Sequence, residues 1–121
     1  MSEPIVLNFD LLLNTQPVML KEGGQEKLYT LQELTGSERD KYLNFMKGRM
    51  KVNSDGTRGG IDDFNGLQAR LLSMTLKDPE GKLVPEEVLQ KWPARVQTLL
   101  FKESQKLSGL DDKAEEKAKN D

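Results

Sequence analysis

The spacing of apolar positions changes near residue 35. Before it they gather in short β-branched and aromatic runs; after it they recur every three to four residues, the helical period. Residues 4 to 13, Pro-Ile-Val-Leu-Asn-Phe-Asp-Leu-Leu-Leu, favour an extended segment. The runs from Pro17 and from Glu26 are split by Gly23-Gly24, a pair that tolerates the positive φ of a tight hairpin turn. Leu28 and Tyr29 are adjacent, which leaves the hairpin register open. Ser37 is the expected N-cap of a first helix, with Glu38 and Asp40 in its first turn and Tyr42, Leu43, Met46 and Met50 at helical spacing. Residues 53 to 60 read as a loop. A second helix is predicted from about Asp62 to Leu76. Phe64, Leu67, Leu71 and Met74 form its face, Leu72 and Leu76 widen it, and an internal Gly66 costs about 1 kcal/mol relative to alanine.

Asp78-Pro79-Glu80-Gly81 is a turn. Pro85 opens a short third helix with Val88, Leu89 and Trp92, at its first helical position. Pro93 opens a fourth, carrying Val96, Leu99, Leu100 and Leu107. That helix stops at Gly109, and Leu110 supplies the contact that follows a glycine cap. The predicted fold is mainly α (α+β): four helices with a small N-terminal antiparallel β-hairpin. The predicted organisation is a β-rich segment (1–34) packed on a helical domain (35–110), followed by a flexible charged tail (111–121).

A chain of 121 residues is one domain by size and buries roughly 65% of its unfolded surface. Its core must be lean, with 36% hydrophobic against 31% charged residues. The net charge of -2 resides wholly in the tail, so the body is neutral. A neutral body is a poor footprint for nucleic acid or an anionic membrane, and neither is an expected partner. No run of about 18 apolar residues predicts a membrane span, and no basic n-region precedes an apolar stretch at the start.

With no histidine and no cysteine, the commonest general base and the thiol nucleophile are missing, and no catalytic site is expected. Asp62 and Asp63 are helix neighbours that do not face each other. Asn53, Asp55, Gly56 and Asp62 fall at the third, fifth, sixth and twelfth places of a calcium loop. Lys51 at its first place and Arg58 at its eighth spoil the match, so no metal or cofactor is expected. The stretch holding Asp55, Gly56, Arg58, Gly59 and Gly60 reads instead as a flexible loop. Lys47, Arg49, Lys51 and Arg58 cluster locally, as cations do at a helix C-terminus. Trp92 is a core anchor or an interface hot spot. The methionines Met46, Met50 and Met74 offer an adaptable surface where exposed.

Three stretches then align with one family: Leu31-Gln-Glu-Leu-Thr-Gly-Ser-Glu-Arg-Asp-Lys-Tyr-Leu, Phe64-Asn-Gly-Leu-Gln-Ala-Arg-Leu-Leu-Ser-Met-Thr-Leu-Lys-Asp, and Val84-Pro-Glu-Glu-Val-Leu-Gln-Lys-Trp-Pro with Leu107-Ser-Gly-Leu. In this order, from Leu31 onward, the chain resembles the tail assembly chaperones of long-tailed bacteriophages and prophages. The resemblance implies a non-enzymatic protein of the host cell cytoplasm. It implies binding to the tape measure protein, kept soluble until tail-tube subunits assemble around it. A longer form made by ribosomal frameshifting would reach the tail tube protein. Helix-in-groove binding would suit such a partner, with Leu71, Met74, Trp92, Val96 and Leu100 as candidate contacts. An exposed hairpin edge also makes self-association an expectation. The competing readings are a minor tail or head–tail joining protein retained in the virion, and a regulatory or nucleic-acid-binding module.

Overall fold

A computed structural model describes residues 3–4, 10–61 and 66–110. Residues 5–9 of the extended segment expected at 4 to 13, the helix start at Asp62 with Asp63 and Phe64, and the charged tail lie outside the described residues. Strands β1 (Thr15–Glu22) and β2 (Gln25–Gln32) form the expected hairpin. Gly23 and Gly24 both have positive φ, 57° and 87°, the signature of a two-residue turn whose twist matches the strands. That turn sets the register, with Glu22 opposite Gln25 and Val18 opposite Tyr29. The adjacent Leu28 and Tyr29 therefore lie on opposite faces: Tyr29 packs inward with Val18, Leu20 and Leu31, while Leu28 pairs with Met19 on the outer face.

Helix α1 (Gly36–Lys47) starts two residues earlier than Ser37 as N-cap would place it. Thr35 is the N-cap. Its hydroxyl oxygen accepts from the Glu38 N–H at 3.2 Å, and its own N–H donates to the Glu38 carboxylate at 2.9 Å. This reciprocal box satisfies two helix-start donors, where Ser37 would satisfy at most one. Tyr42, Phe45 and Met46 turn inward; Leu43, expected among them, is exposed.

Residues 53 to 57 are the loop expected there, but they connect a second hairpin, β3 (Met50–Val52) with β4 (Arg58–Ile61), so Arg58, Gly59 and Gly60 are strand residues. Asp55 organises the turn: its carboxylate accepts from the Thr57 hydroxyl at 2.6 Å and from the Thr57 N–H at 2.9 Å. These bonds hold the Asp55 carboxyl below its ordinary 3.8, so their support is complete above that value and fades as pH falls through the lower folded one.

Helix α2 (Leu67–Thr75) begins at Gly66, which is the N-cap at φ 73° and not an interior residue. The left-handed backbone favours glycine there, and a Cβ would also crowd the Glu86 carboxylate at 3.3 Å, so the glycine serves the cap rather than weakening a helix interior. At its other end the helix stops before Leu76. Leu76–Lys77 forms strand β5, which pairs with Thr30 and Leu31 of β2 and makes the sheet three-stranded in the order β1-β2-β5. Leu76 is fully buried. Its N–H donates to Leu72 O and its C=O accepts from the Val84 N–H, so leaving the helix costs it no backbone partner while its side chain stays in the core. The Asp78–Gly81 turn, with Gly81 at φ 85°, brings Leu83 and Val84 back alongside β5.

Helices α3 (Glu86–Leu89) and α4 (Ala94–Leu107) are preceded by Pro85 and Pro93, which serve as N-caps one step before the first helical position. The α4 C-terminus is a Schellman motif: Leu110 N–H donates to Gln105 O at 2.7 Å, and Gly109 N–H to Lys106 O at 3.2 Å. Leu110 packs as expected.

The architecture is α+β, with a three-stranded antiparallel sheet, a two-stranded ribbon and four helices among the described residues. Helix α2 divides the core. Ala69, Leu72 and, just beyond it, Leu76 join Leu31, Val84, Leu89 and Leu100 beneath the sheet. Leu71 faces the other way, onto Leu34 and Tyr42. A buried polar link ties α2 to α4: the Ser104 hydroxyl donates to Thr75 Oγ1 at 2.8 Å, and Thr75 donates to Leu71 O at 3.0 Å. Thr75→Val leaves Ser104 without that acceptor in a dry site. The expected loss of stability is about 1–3 kcal/mol, read from the urea midpoint; an unchanged midpoint would show the link to be dispensable.

Candidate partner-binding groove

The inner face of β1 overhangs the turn between α3 and α4. Leu20 and Tyr29 come from the hairpin, and Trp92, Pro93 and Val96 from the turn and the first coil of α4. Together they line a groove of about 270 Å³. Trp92 stands edge-on to Tyr29, ring centroids 5.6 Å apart at an interplanar angle of 90°, the favoured arrangement for aromatic quadrupoles. The turn is held from behind: the Gln97 side chain donates to Leu89 O at 2.5 Å, and Trp92 N–H to the same carbonyl at 3.1 Å. The α3 C-terminus thereby gains partners for a carbonyl that the helix leaves open.

The groove rim is cationic. Lys21, Lys27 and Arg95 border it, against one acid, Glu22. Lys27 is committed to Glu22 at 3.0 Å, and that contact raises the ammonium above its ordinary 10.5. Lys21 and Arg95 are exposed, and no carboxylate among the described residues lies within ion-pair distance of either.

The five residues singled out from the sequence divide. Trp92 and Val96 are half-buried and share this groove. Leu71, at 0% exposed, and Leu100, at 4%, are interior and present no surface to a partner. Met74 is half-buried on the far side of α2, beside Phe101 and Tyr42. These five therefore do not share one groove; the hollow between α2 and α4 is lined instead by Leu67, Gln68, Ala69, Gln97 and Phe101, with Gly66 and Gln90 at its end. Sequence reasoning missed Leu20 and Tyr29. The alternation of Val18 with Leu20 and of Tyr29 with Leu31 carried the signal, and fixing the register from Gly23-Gly24 would have exposed it.

The basic cluster expected near residue 50 is partly structural. The Arg49 guanidinium carbon lies 4.3 Å from the Phe45 ring centroid and that of Arg70 4.6 Å, with Arg70 also 3.4 Å from Glu86. Among the described residues, no group of three acidic, histidine or cysteine side chains converges as a metal site would. No described helix is long and apolar enough to cross a membrane. No protein-family model, curated protein or solved structure matches this chain.

Proposed function

We propose that this protein is a tail assembly chaperone of a long-tailed bacteriophage or prophage. It acts without catalysis, in the host cytoplasm, by binding the tape measure protein and keeping it soluble during tail assembly. The reading starts from the residue resemblance of the chain from Leu31 onward. The structural observation that supports it is the groove: an aromatic and aliphatic floor, built from two separate elements and left uncovered by the described residues. An uncovered apolar surface on a small protein is a place for a partner. The contact is assigned to Trp92 and Val96, since Leu71 and Leu100 are consumed by the core. Several copies along one long partner would add avidity.

Co-expression with the longest helical open reading frame downstream of the gene tests this. The partner is expected to become soluble and to co-elute with the tagged chain. A partner that stays insoluble, with none bound, would reject the chaperone. Stoichiometric recovery of the chain from purified particles would then establish the virion-component alternative.

A further inference from the structure

We propose that the groove receives its partner as an extended strand, an acidic segment with an apolar centre, added to the free edge of β1. This rests on reading the groove as the partner site, but its chemistry can be probed without knowing the partner.

The backbone makes the first argument. Strand β1 is an edge of the sheet, with β2 on one side and no described strand on the other. In a two-residue hairpin the pair flanking the turn, Glu22 with Gln25, is hydrogen-bonded, and such pairs alternate along the ladder. Leu20 and Val18 therefore spend their N–H and C=O groups on β2. Met19 and Lys21 point theirs outward. Pro17 falls in the outward set too, so its missing N–H lies on the free edge and leaves the β1–β2 ladder intact. The edge is closed to pairing at Pro17 and, among the described residues, open from Met19 to Lys21, beside Leu20 on the groove wall. A helix has no spare backbone groups to offer such an edge; an extended segment does.

Volume and charge make the second. About 270 Å³ is at the small end of ligand pockets and suits one or two side chains, not the ridge of a helix. Alternate residues of an added strand project to one face, so one apolar side chain can enter between Leu20 and Trp92 while its neighbours remain at the rim. Lys21 and Arg95, both without an acidic partner among the described residues, favour carboxylates there.

The test uses the full chain and a fluorescein-labelled peptide, acetyl-Asp-Glu-Val-Phe-Val-Asp-Glu-amide, with a control in which every acid is lysine. The acidic peptide is expected to bind, weakening as salt rises, and the lysine peptide at least tenfold less tightly. Met19→Pro deletes one outward N–H that β2 does not use, and is expected to weaken binding about tenfold with the circular dichroism spectrum unchanged. Should that variant misfold, Arg95→Glu at an exposed position serves instead, and is expected to narrow or invert the preference between the two peptides. Equal binding of both peptides would overturn the proposal. So would a folded Met19→Pro variant with wild-type affinity, or an edge saturated by a second copy that no peptide displaces. If the co-expressed partner is held through Trp92 while the acidic peptide fails to bind, strand addition is wrong and the chaperone stands. If the peptide binds and the partner does not, strand addition stands and the chaperone falls.

Discussion

Leu71→Ala and Leu100→Ala are each expected to lower stability by about 2–5 kcal/mol while leaving partner binding per folded molecule unchanged. Leu71 is wholly buried against Leu34 and Tyr42, and Leu100 is buried in the cluster beneath the sheet. Truncating either removes three carbons' worth of contact and leaves a cavity that neighbouring helices cannot fully collapse. Domains of this kind hold only about 5–15 kcal/mol in total, so either change removes a large share. Urea denaturation reads the loss, and co-elution of the partner, normalised to folded protein, reads binding. Val96→Ala and Trp92→Ala supply the contrast: these half-buried groove residues should reduce co-elution more than stability. Loss of binding by Leu71→Ala at full stability would return that residue to the interface and overturn the assignment of the groove.

Tyr42→Ala is expected to release α1 before the rest of the molecule. Tyr42 is 1% exposed and is the sole α1 residue buried to that degree. Phe45 and Met46 add only partly buried contacts around it, in the smaller of the two clusters. Removing a buried aromatic side chain costs about 3–5 kcal/mol. The capping box remains, but capping contributes about 1 kcal/mol, and a lone helix of this length is marginal in water. Amide exchange in α1 should accelerate about a hundredfold while α4 amides, held also in the other cluster through Val96, Leu100 and Leu107, change little. Equal acceleration in α1 and α4 would show that the two clusters open as one unit.

These outcomes turn on what could be read in the chain and what could not. Local chemistry announced itself. The Gly23-Gly24 turn, the Asp78–Gly81 turn, the two proline-led helix starts and the Gly109 stop with Leu110 all depend on neighbours within a few residues, and all are present. Thr35 with Glu38 was equally legible as a capping box, although Ser37 is the nearer competitor. Gly66 was visible but misplaced, because one residue separates an interior glycine from a left-handed cap.

The rest depended on residues distant in sequence. Leu76 has helical spacing from Leu72, but Leu31 offers it a strand, 45 positions away. The ribbon of β3 and β4 hides in a composition that looks like a loop, because its strands are short and rich in glycine and polar residues. Hydrophobic spacing identified Leu71, Met74, Val96 and Leu100 as one-sided helix positions and could not say which sides would be covered. That was decided when α2 came to lie between the sheet with α4 on one flank and α1 on the other. The groove is likewise tertiary: Tyr29 and Trp92 are 63 residues apart, and only the overhang of β1 on the α3–α4 turn brings them together. By itself the sequence determined where the chain turns, caps and stops, since those are energies of adjacent residues. Which apolar faces became interior, and which stayed open to a partner, was decided by packing alone, since burial belongs to surfaces that meet only after the chain has folded.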